Sequence, residues 1–125
     1  DDAASGVDRV VRGRDLMPST TIQVALQRSL GLPTPRYRHH ALFLERRGGK
    51  LSKIHGSVNA EALKARYRAD ELCGLLASWF GLVSPGTRCR PADLVSGFHW
   101  SRVGDGDVAL TWSEDSGLVA ERPDA

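Results

Sequence analysis

Two short stretches carry residues whose types and spacing could do chemistry: GGKLSKIHG at 48–56 and RGRD at 12–15. The first spaces Lys50 and Lys53 around Leu51 and Ser52, with glycines on both sides. A lysine ammonium is a mobile point charge that suits phosphate oxygens. A cation held where charge grows on a transferring phosphate stabilises the transition state. Flanking glycines let such a loop close over a nucleotide and reopen. Taken alone, however, a Lys-X-X-Lys pair between glycines is better explained as a solvated turn, and neither a Walker A sequence nor a GxGxxG is present. In the second stretch, Arg12 follows a β-rich run. An arginine just past the carboxyl end of a strand in an open α/β sheet faces the ligand crevice, where it can hold a carboxylate through two parallel bonds. Pairing with Asp15 or with solvent is the simpler reading of that residue by itself.

The elements that must position these residues can be read from periodicity. VDRVV (7–11) predicts a strand that Arg12 and Gly13 end. Pro18, Ser19 and Thr20 start a helix that puts Ile22, Ala25, Leu26 and Leu30 on one face. Gly31 and Pro33 stop it. Extended residues predict a strand near 38–44, followed by a Gly-Gly turn and the lysine loop. Asn59 caps a helix over 60–67. Leu72, Leu75, Leu76, Trp79 and Phe80 recur at helical spacing, and Gly81 closes that helix. Pro91 opens a further helix over 91–99 with Leu94, Val95 and Phe98 inward. DVALTW (107–112) and GLVAE (117–121) flank a turn and form a candidate hairpin.

The 125 residues suffice for one modest domain, and 41% hydrophobic content favours a packed core. Net charge is only +2 but is unevenly placed. The first 56 residues carry +5 and the last 35 carry −5. The front of the chain is therefore the part suited to an anion or a nucleic acid, and the acidic tail reads as a solvated surface. No apolar run approaches the length of a membrane span, and the acidic N-terminus is unlike a signal peptide, so a cytoplasmic protein is expected. Cys73 and Cys89 lack metal-ligand spacing. They read as reduced core thiols, with a single disulfide as the alternative. His39 and His40 are adjacent on a strand and point to opposite faces, so no metal site is expected there.

The order of features changes the weight given to the two opening stretches. Arg12-Gly13, Asp15, Ser19-Thr20, Gln23, Leu30-Gly31, Pro33, Pro35, Tyr37, His39 and the KLSKI loop resemble the glutamyl branch of class I aminoacyl-tRNA synthetases. Even DDAASG is similar to the segment after a preceding strand in that family. The likeness covers about residues 1–55. RDLMPST and LGLPTPRY look most like the glutamyl-queuosine tRNA(Asp) synthetases within the branch. The stretch after Lys53 is too short for the anticodon-binding region of an ordinary glutamyl-tRNA synthetase, which favours the same choice.

The resemblance implies an α/β fold: the C-terminal portion of a Rossmann-type catalytic domain at 1–56, a mainly helical region at 57–103, then the candidate hairpin and acidic tail at 104–125. It implies that glutamate is activated with ATP, accompanied by Mg, and attached to queuosine of tRNA(Asp). Lys53 would be the catalytic lysine on the α-phosphate, with Lys50 and Ser52 also on ATP, and Arg12 would hold a carboxylate of glutamate. Ile54 and Arg14 depart from the family pattern. The HIGH-type motif, a second arginine-containing strand and the zinc site common in this family are not found in the sequence. The expectation is therefore a chain that needs the N-terminal half of the catalytic domain as its partner and is inactive alone. Two alternatives stay open: part of a glutamyl-tRNA synthetase that charges the tRNA 3′ end, or a non-catalytic module that binds tRNA or a partner through its basic front.

Overall fold

The computed structural model describes residues 1–45, 59–113 and 115–121. The lysine loop, with Lys50, Ser52 and Lys53, lies outside the described residues. The fold is mixed α/β, and the chain divides into two compact units, residues 1–42 and 43–125.

The first unit is a strand–helix–strand. Strand β1 (Arg9–Gly13) passes through a short 3-10 turn (Arg14–Leu16) into helix α1 (Met17–Ser29), and the chain returns as β2 (Arg36–His40). β1 and β2 are parallel, in register from Arg9↔Arg36 to Gly13↔His40. A parallel pair needs a crossover of this kind, and the helix supplies it. Pro18 sits in the first turn of α1, where a missing N–H costs nothing. Gly31 ends the helix with φ at 65°, and the Leu32 N–H reaches back to the Gln27 carbonyl at 2.9 Å. The strand starts and ends two residues later than predicted, so Arg12 lies within β1 rather than beyond it. The face of α1 that holds Ile22, Leu26 and Leu30 is exposed: these side chains are 72%, 58% and 62% accessible. The opposite side is the one turned inward, with Thr20 buried and Val24 and Gln27 half-buried.

The second unit holds a three-stranded sheet in the order β3 (Phe43–Glu45), β4 (Val108–Ser113), β5 (Gly117–Glu121). β3 runs parallel to β4, and β4 and β5 form the antiparallel pair expected of the hairpin. The single strand predicted over 38–44 is thus two. β2 pairs with β1 and β3 with β4, so the chain must leave one ladder before entering the other, and it does so at Ala41–Leu42.

Three helices complete this unit. In α2 (Ala60–Arg66), Asn59 caps the first turn as expected, its Oδ1 accepting from the Ala62 N–H at 2.7 Å. Helix α3 (Ala69–Trp79) contributes Ala77 to the core and sets Trp79 edge-on to Phe43, ring centroids 6.0 Å apart. Leu110 and Leu118 of the sheet are buried, at 4% and 7% exposure. Helix α4 is shorter than predicted, Pro91–Val95. Ser96 and Gly97 follow it, and glycine is a poor helix former. Val95 is 73% exposed, and Phe98 turns edge-on to Trp100 at 5.1 Å instead of entering the core.

Candidate functional site

The polar groups of the first unit converge at the carboxyl ends of its two strands. Alternation along β1 puts Val10 and Arg12 on one face, and alternation along β2 puts Tyr37 and His39 on one face, all four half-buried. Arg12 and His39 are partners in the parallel register. On α1, Thr20, Gln23 and Gln27 recur at helical spacing and address those residues.

Arg12 is the hub. Its Nη1 donates to Gln23 Oε1 at 2.8 Å, and its Nη2 donates to Thr20 Oγ1. The guanidinium carbon lies 4.9 Å from the centre of the Tyr37 ring, within cation–π range. Tyr37 in turn lies nearly parallel to the His39 ring, at 11° with centroids 6.4 Å apart, and its hydroxyl accepts from Gln27 Nε2 at 3.0 Å. Thr20 has one hydroxyl proton. That proton goes to the Leu16 carbonyl at 3.0 Å, so the 2.7 Å contact with His39 requires the Nε2–H tautomer as donor. Among the described residues, Arg12 Nε and Gln27 Oε1 are buried without a partner.

Gly13 makes the turn beside this group possible. A Cβ there would run into the Asp15 carboxylate and come within 2.9 Å of Leu42 Cδ2. The network therefore fixes a guanidinium plane at the end of a parallel strand, with N–H donors left beyond the two already engaged. Such a group can hold a carboxylate. Only Arg12 was singled out as a site residue by its position after the strand. Thr20, Gln23, Tyr37 and His39 belong to the motif pattern, but the sequence reading gave them no role. Their signal was polar residues at i, i+3 and i+7 on α1 facing a Tyr-X-His alternation on β2.

The second unit has a separate cleft of about 370 Å³, lined by Arg66, Tyr67, Glu71, Leu75, Thr87 and Arg88 among others. Its polar groups are engaged: Arg88 Nη2 pairs with Glu71 Oε1, Arg66 Nη2 donates to the Asp115 carbonyl at 3.2 Å, and Tyr67 Oη accepts from the Leu118 N–H at 2.7 Å. Beside it, Arg90 holds the Asp93 carboxyl below the usual carboxylate range, through side-chain and backbone hydrogen bonds. Among the described residues, no group of three or more His, Cys, Asp or Glu could hold a metal ion. Among them, too, no helix is long and apolar enough to cross a membrane.

Comparison with known proteins decides what this arrangement belongs to. The glutamyl-Q tRNA(Asp) synthetase of Xanthomonas axonopodis pv. citri is 54% identical over 82 residues, which is 66% of this chain and 25% of that protein. The protein of the same name from Nocardia farcinica is 39% identical over 120 residues, 95% of this chain and 36% of its own length. Over much of its length the chain is similar to glutamyl-Q tRNA(Asp) synthetases, at 39–54% identity. A protein named glutamate–tRNA ligase 2, from Nitrosococcus oceani, is 47% identical over 78 residues, 62% of this chain and 16% of that ligase. The chain thus spans about a fifth to about a third of the length of the glutamyl-Q synthetases it matches. No family model matches it. These relatives make the chain synthetase-like, within the glutamyl group of tRNA synthetases.

Proposed function

We propose that the chain is part of an ATP-dependent synthetase that activates glutamate and transfers it to queuosine of tRNA(Asp). The observation that carries this reading is the likeness to glutamyl-Q tRNA(Asp) synthetases along up to 95% of the chain, with Arg12 anchored at the carboxyl end of β1. In this reading the β1–α1–β2 unit is the C-terminal portion of a Rossmann-type domain, and residues 1–56 form its part of the catalytic core. Arg12 binds a carboxylate of glutamate with its remaining N–H donors, while Thr20, Gln23 and Tyr37 keep the guanidinium from turning. A glutamate carboxylate oxygen attacks the α-phosphorus of ATP, which enters with Mg, and pyrophosphate leaves. Lys53, with Lys50 and Ser52 beside it, stabilises the charge that grows on the phosphates. The acceptor hydroxyl then attacks the activated carbonyl and AMP departs. The work takes place in the cytoplasm with the tRNA.

The exposed face of α1 supports a further part of the reading. Three aliphatic side chains one helical turn apart, each more than half accessible, have no cover among the described residues. We assign that face to the N-terminal half of the catalytic domain, which would also bring the HIGH-type motif and any zinc site. The chain alone should then form no adenylate. The test is ATP–pyrophosphate exchange with glutamate, run on the chain alone and on the full-length gene product. Exchange by the chain alone would sink this division of labour. A glutamyl-tRNA synthetase that charges the 3′ end is the second reading, favoured by the Nitrosococcus oceani relative. It predicts glutamate transfer to tRNA that lacks queuosine.

A further inference from the structure

Cys73 and Cys89 are the two cysteines of the sequence, and both belong to the second unit rather than to the network around Arg12. Cys73 lies on α3 and is half-buried, while Cys89 lies in the segment between α3 and α4 and is 8% exposed. Their sulfurs are 3.9 Å apart across a sequence separation of sixteen. This approach is built by the backbone. The Cys89 N–H donates to the Asp70 carbonyl at 3.1 Å, in the first turn of α3. One turn on, the Thr87 carbonyl packs directly on Gly74, where any Cβ would collide with it. Arg88 pairs with Glu71 of the same helix. Three consecutive residues, 87–89, are thus pinned along α3, and the two thiols face each other. A disulfide needs sulfurs roughly 2 Å apart. The two sulfurs must therefore approach by about 2 Å for a bond to form.

We propose that Cys73 and Cys89 are a dithiol modification site that closes to an intramolecular disulfide by exchange with a small oxidised disulfide such as oxidised glutathione. The more accessible Cys73 attacks first as its thiolate. A bond forms between Cys73 Sγ and one glutathione sulfur, the glutathione disulfide bond breaks, and one glutathione leaves. Cys89 then loses its proton to solvent and attacks Cys73 Sγ, and the second glutathione leaves. Two protein thiols are oxidised and one glutathione disulfide is reduced to two thiols. Burial pushes the Cys73 thiol above its usual range, and the facing Cys89 and Asp93 add to this, with Arg90 bonded to Asp93. Exchange is therefore slow near neutrality and quickens as pH rises. Closure adds a covalent tie to a segment whose Thr87 and Arg88 already line the second-unit cleft.

The test uses the full chain with excess oxidised glutathione at mildly alkaline pH, followed by alkylation and intact-mass and peptide analysis. The expected result is a loss of two hydrogens and a cross-linked peptide joining Cys73 to Cys89. The melting temperature should rise by about 5–10 °C and return with dithiothreitol. Cys89→Ser should instead accumulate a stable glutathione adduct on Cys73. Two alkylated thiols, a glutathione adduct that persists in the unsubstituted protein, or only intermolecular cross-links would each overturn the proposal. The unsubstituted protein decides the matter even where Cys89→Ser folds poorly. The outcome is independent of whether the synthetase reading holds.

Discussion

Thr20 does three jobs with one hydroxyl: it accepts from Arg12, donates to the Leu16 carbonyl and receives His39. Thr20→Val keeps the shape and removes all three. It should cost about 1–3 kcal/mol of stability in a urea melt, because the half-buried Arg12 and the Leu16 carbonyl lose a partner. In the full-length enzyme it should also raise KM for glutamate more than it lowers kcat, since it frees the guanidinium rather than touching phosphate. An unchanged KM would separate Arg12 from glutamate binding. Asp93 gives a second prediction at this scale. Its folded-state carboxyl is held low by Arg90, so its contribution to stability is present above the ordinary carboxylate range and is lost as pH falls through the lowered value. Asp93→Asn should flatten that part of the acid stability profile, followed by circular dichroism against pH. An unaltered profile would mean that the exposed Arg90–Asp93 pair does not contribute.

Helix α3 shows how an element is held to what packs on it. The Arg68 N–H donates to Glu71 Oε2 at 2.9 Å, closing its first turn. At the other end Gly81 adopts a φ of 75°, and the Leu82 N–H reaches the Ala77 carbonyl at 3.0 Å. Gly74 in its middle is an unusual choice for a helix, and the contact with Thr87 explains it. Gly74→Ala should therefore destabilise by about 1–3 kcal/mol through overpacking, against the gain that alanine normally brings to a helix. A stabilised variant in denaturant titration would show that the approach is not tight. The caps and periodicity of α2 and α3 were legible in the sequence because Asn59, Gly81 and the Leu-Leu-Trp spacing act locally. The break of the 38–44 strand was not, since ladder pairing with β1 and β4 is non-local. The α4 prediction held at its Pro91 start but overran for a related reason: Leu94, Val95 and Phe98 fit helical spacing, yet Phe98 finds Trp100 instead of the core. The network around Arg12 was legible as an ordered motif but not as a set of hydrogen bonds. The partners of one guanidinium come from β1, α1 and β2, and only the parallel register brings them together.

At the scale of the whole molecule, the chain consists of a β–α–β unit that carries the arginine and a second unit, residues 43–125, within whose sequence span the lysine loop falls. The exposed row Ile22, Leu26 and Leu30 is the feature that a longer synthetase would use. Leu26→Glu on that face should leave the melting temperature of the chain alone almost unchanged, because the side chain is already 58% exposed. The same substitution in the full-length protein should lower its melting temperature and its glutamate activation together. An indifferent full-length protein would show that nothing seats on this face. The central claim concerns the acceptor and the lysine loop, and it is tested most directly by ATP-dependent transfer of labelled glutamate from the full-length enzyme to tRNA(Asp), with and without queuosine. The account predicts labelling of the queuosine-containing tRNA only, reduced by roughly 100-fold or more in Lys53→Ala, as for removal of a transition-state donor. Equal labelling of tRNA lacking queuosine, or undiminished labelling by Lys53→Ala, would contradict it.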